Sequence, residues 1–173
     1  MTGEEKKSAQ YRKLVVDIKD DLISIHKIAG EINHITLTLK KEKVILLGAD
    51  LMACAGYLHH YYTGVESIFE RISRSFDGGL VSGGDYHREL LRSMTLEIPR
   101  IRPKTISKEL AEELDEYRRF RHMFRHAYGS ELRWRKMEPL ASGIDILTAN
   151  LQQKLFEFVK FVEKLSNGIS PDY

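Results

Sequence analysis

The sequence predicts an all-α protein, an up-and-down bundle of four long helices with one short helix in the middle. Two observations carry that expectation. Apolar residues recur at alternating steps of three and four through most of the chain, the period of a helix face rather than of a strand. The runs are separated by clusters of glycine and proline that neither helix nor strand tolerates. The chain has 173 residues, 42% of them hydrophobic and 30% charged, so it can bury a core of its own. We expect a single domain over 1–173, with flexible ends at about 1–8 and 167–173.

The first long helix follows Leu14, Ile18, Leu22, Ile25, Ile28, Ile32, Ile35 and Leu39. Its end, "ITLTL" (35–39), has strand-like composition but no strand elsewhere to pair with, so it stays on the helix. The second runs from Val44 through Leu51, Leu58, Val65 and Ile72. "SFDGGLVSGGD" (75–85) is a loop, with Asp85 as cap for a short helix through "YHRELLRSM". Pro99 and Pro103 make "LEIPRIRPKTIS" an extended connector. Ser107 caps the next helix, which carries Leu110, Leu114, Tyr117, Phe120 and Phe124 toward a stop at Gly129. Pro139 opens the last helix, which follows Leu140, Ile144, Leu147, Leu151, Leu155, Phe158, Val162 and Leu165 and ends near Asn167-Gly168.

The lone cysteine, Cys54, sits among small apolar residues and reads as core, which leaves no internal disulfide. "MTGEEKKSAQ" has no apolar run behind it, and no stretch reaches the ~18 apolar residues of a membrane span. We therefore expect a cytoplasmic protein with no membrane partner. The formal net charge is only +2, so any affinity for nucleic acid must come from a local patch.

That patch is "RFRHMFRHAY" (119–128) and its flanks. From Arg118 to Lys136 there are seven Arg or Lys opposed by Glu131 alone, with Tyr128 and Trp134 interleaved. Phosphate contacts and base stacking together suit a single-stranded nucleic acid. A solvated helix face is the plainer alternative. On a helical wheel Arg121 falls beside the apolar stripe, about 40° from Tyr117. A permanent charge there needs a carboxylate such as Glu66 or an anion held in a cleft. His122 and His126 stand at i, i+4, a spacing that two metal ligands could share. Position 123 is Met rather than Glu, and no nearby Cys/His pair completes four ligands, so we expect no metal and no cofactor. His59 and His60 point different ways on a helix and read as satisfied or surface residues.

Arg121, four residues, His126, one residue and Tyr128 form R-x4-H-x-Y. This resembles the signature of HepT-like toxins, members of the HEPN superfamily. "LHHYYTGVESIFERISRSFDG" (58–78), "YHRELLRSM" and "YRRFRHMFRHAYGSELRW" are similar to the second helix, the middle segment and the motif helix of such chains. The resemblance spans about residues 5 to 165 and implies a HEPN-like bundle. It also implies a metal-independent endoribonuclease toxin that works as a homodimer. The implied partner is an MNT-type nucleotidyltransferase antitoxin, able to place AMP on Tyr128. Cleavage would use the RNA 2′-hydroxyl as nucleophile, with Arg121 and His126 as the catalytic pair. His126 moves a proton and Arg121 stabilises phosphoryl charge. His122 would assist or orient, and Arg118, Arg119 and Arg125 would bind RNA. The alternative is a non-catalytic HEPN module that binds nucleotide or serves as partner subunit of a nucleotidyltransferase.

Overall fold

The computed structural model describes residues 2–42, 48–79, 83–126 and 132–168. They form α1 (Gly3–Glu42), α2 (Gly48–Phe76), α3 (Tyr86–Ser93), α4 (Lys108–His126) and α5 (Trp134–Ser166). This is the predicted set of four long helices and one short one. Among the described residues there is no strand, only an isolated bridge. Val44, Leu47 and Gly129 lie outside the described residues.

Side-chain partners fix the helix directions. α1 runs against α2: Tyr11 stacks on Phe76, Arg71 reaches back to Asp17 and Asp21, and Ile25 lies against Gly64. A Cβ at Gly64 would stand 3.0 Å from Ile25 Cγ1, so a larger residue there would make the Ile25 side chain give by a few tenths of an ångström. α1 also runs against α5, with Ser8 bonded to Ser166, Lys19 to Glu163 and His26 to Gln152. α2 and α5 are therefore parallel, tied by Tyr61 and Thr148 at one level and by Phe76 among Phe158 and Phe161 at another. α1 therefore lies antiparallel to both. The stripes read from the sequence face inward: Ile18, Ile25, Ile32, Leu58, Val65, Ile72, Leu151 and Leu155 are completely buried. Each is worth roughly 1.5–3 kcal/mol of hydrophobic transfer. Cys54 is buried among them, which pushes its thiol up to about 11.

The end of α1 is helical through "ITLTL", and there the threonine hydroxyls are satisfied by turning back on the helix. Thr36 donates to the Ile32 carbonyl at 2.8 Å and Thr38 to that of His34 at 3.0 Å. α1 already begins at Gly3, inside the segment expected to be flexible. Ser107 does cap α4, accepting from the Leu110 N–H at 3.2 Å. Asp85 stands at the N-cap of α3, but its side chain makes no capping bond.

Two expectations need correction. Pro139 does not open the last helix, which begins at Trp134 and holds Pro139 inside. Burial of Leu132 at 8% and Met137 at 1% holds that extra first turn in place. A proline so near the start removes only one hydrogen bond, the one to the carbonyl four residues back. The segment 95–107 is not extended. It folds back through a turn in which Ile98 N–H donates to the Arg102 carbonyl at 2.9 Å, with Arg100 at φ 64°.

The cause of that turn is Arg102, which is fully buried. Its guanidinium grips Asp77 through two bonds of 2.8 and 2.7 Å and donates to the carbonyls of Leu96, Ser93 and Pro103. One cation thus ties the end of α2, the end of α3 and the connector together. Asp77→Ala should cost about 3–5 kcal/mol, because it leaves a buried cation without its carboxylate. Urea denaturation of the variant against the parent checks this.

Candidate functional site

The site grows from one carboxylate. Glu66 sits on the buried face of α2, with its side chain 5% exposed. An acid there has to be neutralised or paired. α4 supplies the pair: Arg121 Nη1 stands 2.5 Å from Glu66 Oε2 as an ion pair, and the arginine side chain is itself only 12% exposed. α3 supplies a second partner, since His87 Nδ1 lies in hydrogen-bond contact with Glu66 Oε1. Three helices thus meet at one charge.

Aromatic rings wall this cluster. Tyr62, almost fully buried, has its phenol pushed up, first by burial and then by the Glu66 carboxylate. Phe124 stands 5.4 Å from the His59 ring. Tyr86, beside His87, donates to Glu70 at 3.1 Å. His59 is half-buried, and its Nδ1 has no hydrogen-bond partner among the described residues. Burial first, then the charges of Arg121, His60 and Arg125, hold its pKa below the usual histidine value. His59 is therefore neither satisfied nor on the surface, as its sequence context suggested. It is a half-buried imidazole beside an arginine, with its charged form disfavoured. His60 is exposed.

The other motif residues lie around the solvent side of α4. Taking Arg118 as zero, Arg125 falls at about −20°, His122 at about 40°, His126 at about 80° and Arg119 at about 100°. His122 and His126 are both exposed, with ring centroids 4.7 Å apart. Arg118 and Arg119 share one carboxylate, Asp115, at 2.6 and 2.8 Å. Burial alone would raise the Asp115 carboxyl, but the two guanidiniums outweigh it and hold it below its usual range. Arg125 is exposed. Tyr128 lies outside the described residues.

The structure thus groups the predicted residues into two sets. His122 and His126 stand together beside Arg118, Arg119 and Arg125. Arg121 turns away toward Glu66, as the ion-pair reading anticipated. α4 remains helical through His126, so within one chain Arg121 and His126 stay about 140° apart around the helix. His87, His59 and Asp115 were not singled out from the sequence as site residues. The i, i+3 and i, i+4 spacing of Asp115 before Arg118 and Arg119 is the one signal that could have found it.

Among the described residues no group of three or more His, Cys, Asp or Glu is arranged to hold a metal ion. No helix among them is long and apolar enough to cross a membrane. The model of one protein family, described as HepT-like protein, matches residues 53–162, from α2 through most of α5. No curated protein and no solved structure matches the chain.

Two outcomes follow from the buried charges. Arg121→Ala should destabilise the fold by about 3–5 kcal/mol, since it strands Glu66, whereas Glu66→Leu combined with Arg121→Met should recover most of that loss. Urea titration of the two variants against the parent measures both. His59 makes stability depend on pH. Above about pH 6.5 it is neutral folded and unfolded alike; below that, the unfolded chain takes up a proton that the folded chain resists. Stability should fall as pH drops through that window, and His59→Leu should remove this share of the fall when urea midpoints at about pH 7.5 and 5.5 are compared.

Proposed function

Because the chain belongs to the HepT-like family, we propose that it is a metal-independent endoribonuclease toxin whose cleavage chemistry is carried by α4. The observation that carries this reading is the exposed pair of imidazoles, His122 and His126, on a helix that also presents Arg119 and Arg125, with Arg118 partly buried beside them. Phosphodiester cleavage through the 2′-hydroxyl needs a group to accept a proton and a group to give one. It also needs fixed positive charge for the phosphoryl oxygens. Histidine is the side chain whose ordinary pKa allows both proton roles near neutral pH.

In this proposal His126 is the proton carrier of the motif, His122 assists it, and the arginines hold the RNA backbone. Arg121 supplies the positive charge nearest the buried cluster. Since Arg121 and His126 diverge on one helix, the proposal includes a homodimer in which two α4 helices face each other. Each Arg121 then meets the other copy's imidazoles across a cleft. The proposed partner is an MNT-type nucleotidyltransferase antitoxin that transfers AMP to Tyr128. That group would put a bulky anion in the space the RNA phosphate requires.

A second reading has its own observation. Arg121 is already committed to Glu66, and such a pair suits a structural role as well as a catalytic one. In that case the chain is a non-catalytic HEPN module that binds nucleotide or serves as partner subunit of a nucleotidyltransferase.

His126 separates the two readings better than Arg121 does, because it is exposed and its loss strands no buried charge. Total RNA incubated in EDTA with the wild type should be cut to fragments with cyclic or 3′-phosphate ends. His126→Ala should be slower by roughly 10²–10⁴-fold at unchanged stability. Equal cleavage by both proteins would remove His126 from the mechanism. No cleavage by either, with Tyr128 free of AMP by mass, would favour the binding module.

A further inference from the structure

An imidazole that shares a carboxylate with Arg121 lies outside the motif. Glu66 holds Arg121 through Oε2 and His87 through Oε1, so the guanidinium and this imidazole share a carboxylate. A carboxylate paired with an arginine is ionised and can only accept. His87 Nδ1 must then carry the proton in that contact, which fixes the tautomer. In the neutral ring Nε2 is left with its lone pair. The His87 side chain is 39% exposed, while the carboxylate it bonds is 5% exposed. The edge with Nδ1 faces inward, so the exposed share of the ring is the far edge, where Nε2 lies. An oriented base beside a fixed cation is the arrangement a carboxylate–histidine pair provides in proton-transfer sites.

We propose that His87 is a further catalytic residue of the ribonuclease centre, the base that takes the 2′-hydroxyl proton, with Glu66 as the positioning residue that orients His87 and Arg121 at once. The inference rests on the ribonuclease reading. In the step, His87 Nε2 takes the proton from the 2′-hydroxyl and that oxygen forms a bond to phosphorus. The bond from phosphorus to the 5′-oxygen breaks, and the 5′-oxygen leaves with a proton from a general acid, the role left to His126. The products are a 2′,3′-cyclic phosphate and a 5′-hydroxyl. Arg121 stabilises the charge that grows on the phosphoryl oxygens. His87 needs no dimer to stand beside Arg121, unlike His126.

Charged groups face His87 from two helices. From α2 they are Glu66 and Glu70, the latter bonded by the neighbouring Tyr86 and by Arg74. From α4 it is Arg121, which shares Glu66. The base must be unprotonated to act, so the rate should rise with pH along the limb that His87 governs.

The test is cleavage of a short RNA in EDTA across pH, with wild type, His87→Gln and His87→Ala. The expected result is a loss of roughly 10²–10⁴-fold in rate with both variants. Their pH profile should lose its rising limb at an assay temperature held below each variant's thermal midpoint, since loss of the His87 contact with Glu66 lowers that midpoint. Added imidazole should restore part of the rate to His87→Ala and leave the wild type unchanged, which a merely structural role would not produce. Wild-type rate and profile in His87→Gln, or slow cleavage with the rising limb intact and no imidazole rescue, would overturn the role of His87 and leave the ribonuclease reading standing. No cleavage by the unmodified wild type would overturn both.

Discussion

A carboxylate in the interior sets a condition that its surroundings must meet. Glu66 is nearly fully withdrawn from water on the inner face of α2, among residues such as Tyr62 and Val65 that are buried with it. An ionised acid in such a place is several kcal/mol unfavourable unless charge and hydrogen bonds replace the lost water. The replacement comes from two helices far along the chain: Arg121 from α4 and His87 from α3. Hydrophobic burial is non-directional and would let α3 and α4 slide or rotate over α2. The two contacts at Glu66, an ion pair with Arg121 and a hydrogen bond with His87, fix how those helices are turned. The rotation of α4 in turn decides which motif residues face solvent, so the exposed imidazoles and the buried arginine follow from one acid.

The same device is used once more at the other end of α2. Asp77, just past the last turn, receives Arg102 through two bonds, and the remaining donors of that arginine tie down the end of α3 and the connector. α3 is only eight residues long and could not hold its position by its own propensity. It is anchored at its start by His87 on Glu66 and at its end by the Ser93 carbonyl on Arg102. Two buried ion pairs therefore frame the short helix. A protein that needed only stability could fill such places with apolar residues at no loss. Their use here gives a defined orientation to side chains in the middle of the bundle.

The helices were legible in the sequence because a repeated apolar stripe is a local signal summed over many turns. Arg121 was legible for the converse reason: a permanent charge on that stripe breaks the pattern, and Glu66 lay on a facing stripe to answer it. What the sequence did not show was set by single contacts across long separations. His87 lies on a helix too short for its periodicity to orient it. The turn at Ile98–Arg102 is imposed by a buried arginine whose partner, Asp77, is distant in sequence and carries no pattern. Pro139 misled because proline is commonest in the first turn of a helix, whereas the burial of Leu132 and Met137 extends α5 ahead of it. The charge of the α4 strip was over-read for a related reason. Counting from Arg118 passed over Asp115, one turn earlier, which engages both Arg118 and Arg119.

That last point bears on how RNA would be held. Every arginine committed to a carboxylate contributes less to the field that attracts a polyanion, since its partner's charge cancels it at a distance. Arg118 and Arg119 share Asp115, and Arg121 is matched by Glu66. The attraction at long range is therefore weaker than the count of arginines implies. At short range the arrangement acts differently. A paired guanidinium keeps donors beyond those its carboxylate uses, and pairing holds it in place before the substrate arrives. Arg121 has one such donor, Nε, buried and without a partner among the described residues. A cation held rigid by a buried acid loses little freedom when a phosphoryl group develops charge beside it, which is the condition for stabilising a transition state rather than a ground state. The price is weak capture of substrate. In the proposed ribonuclease, binding would then rest on the exposed Arg125 and on a second copy of the chain, while Glu66 would keep the reacting groups in register.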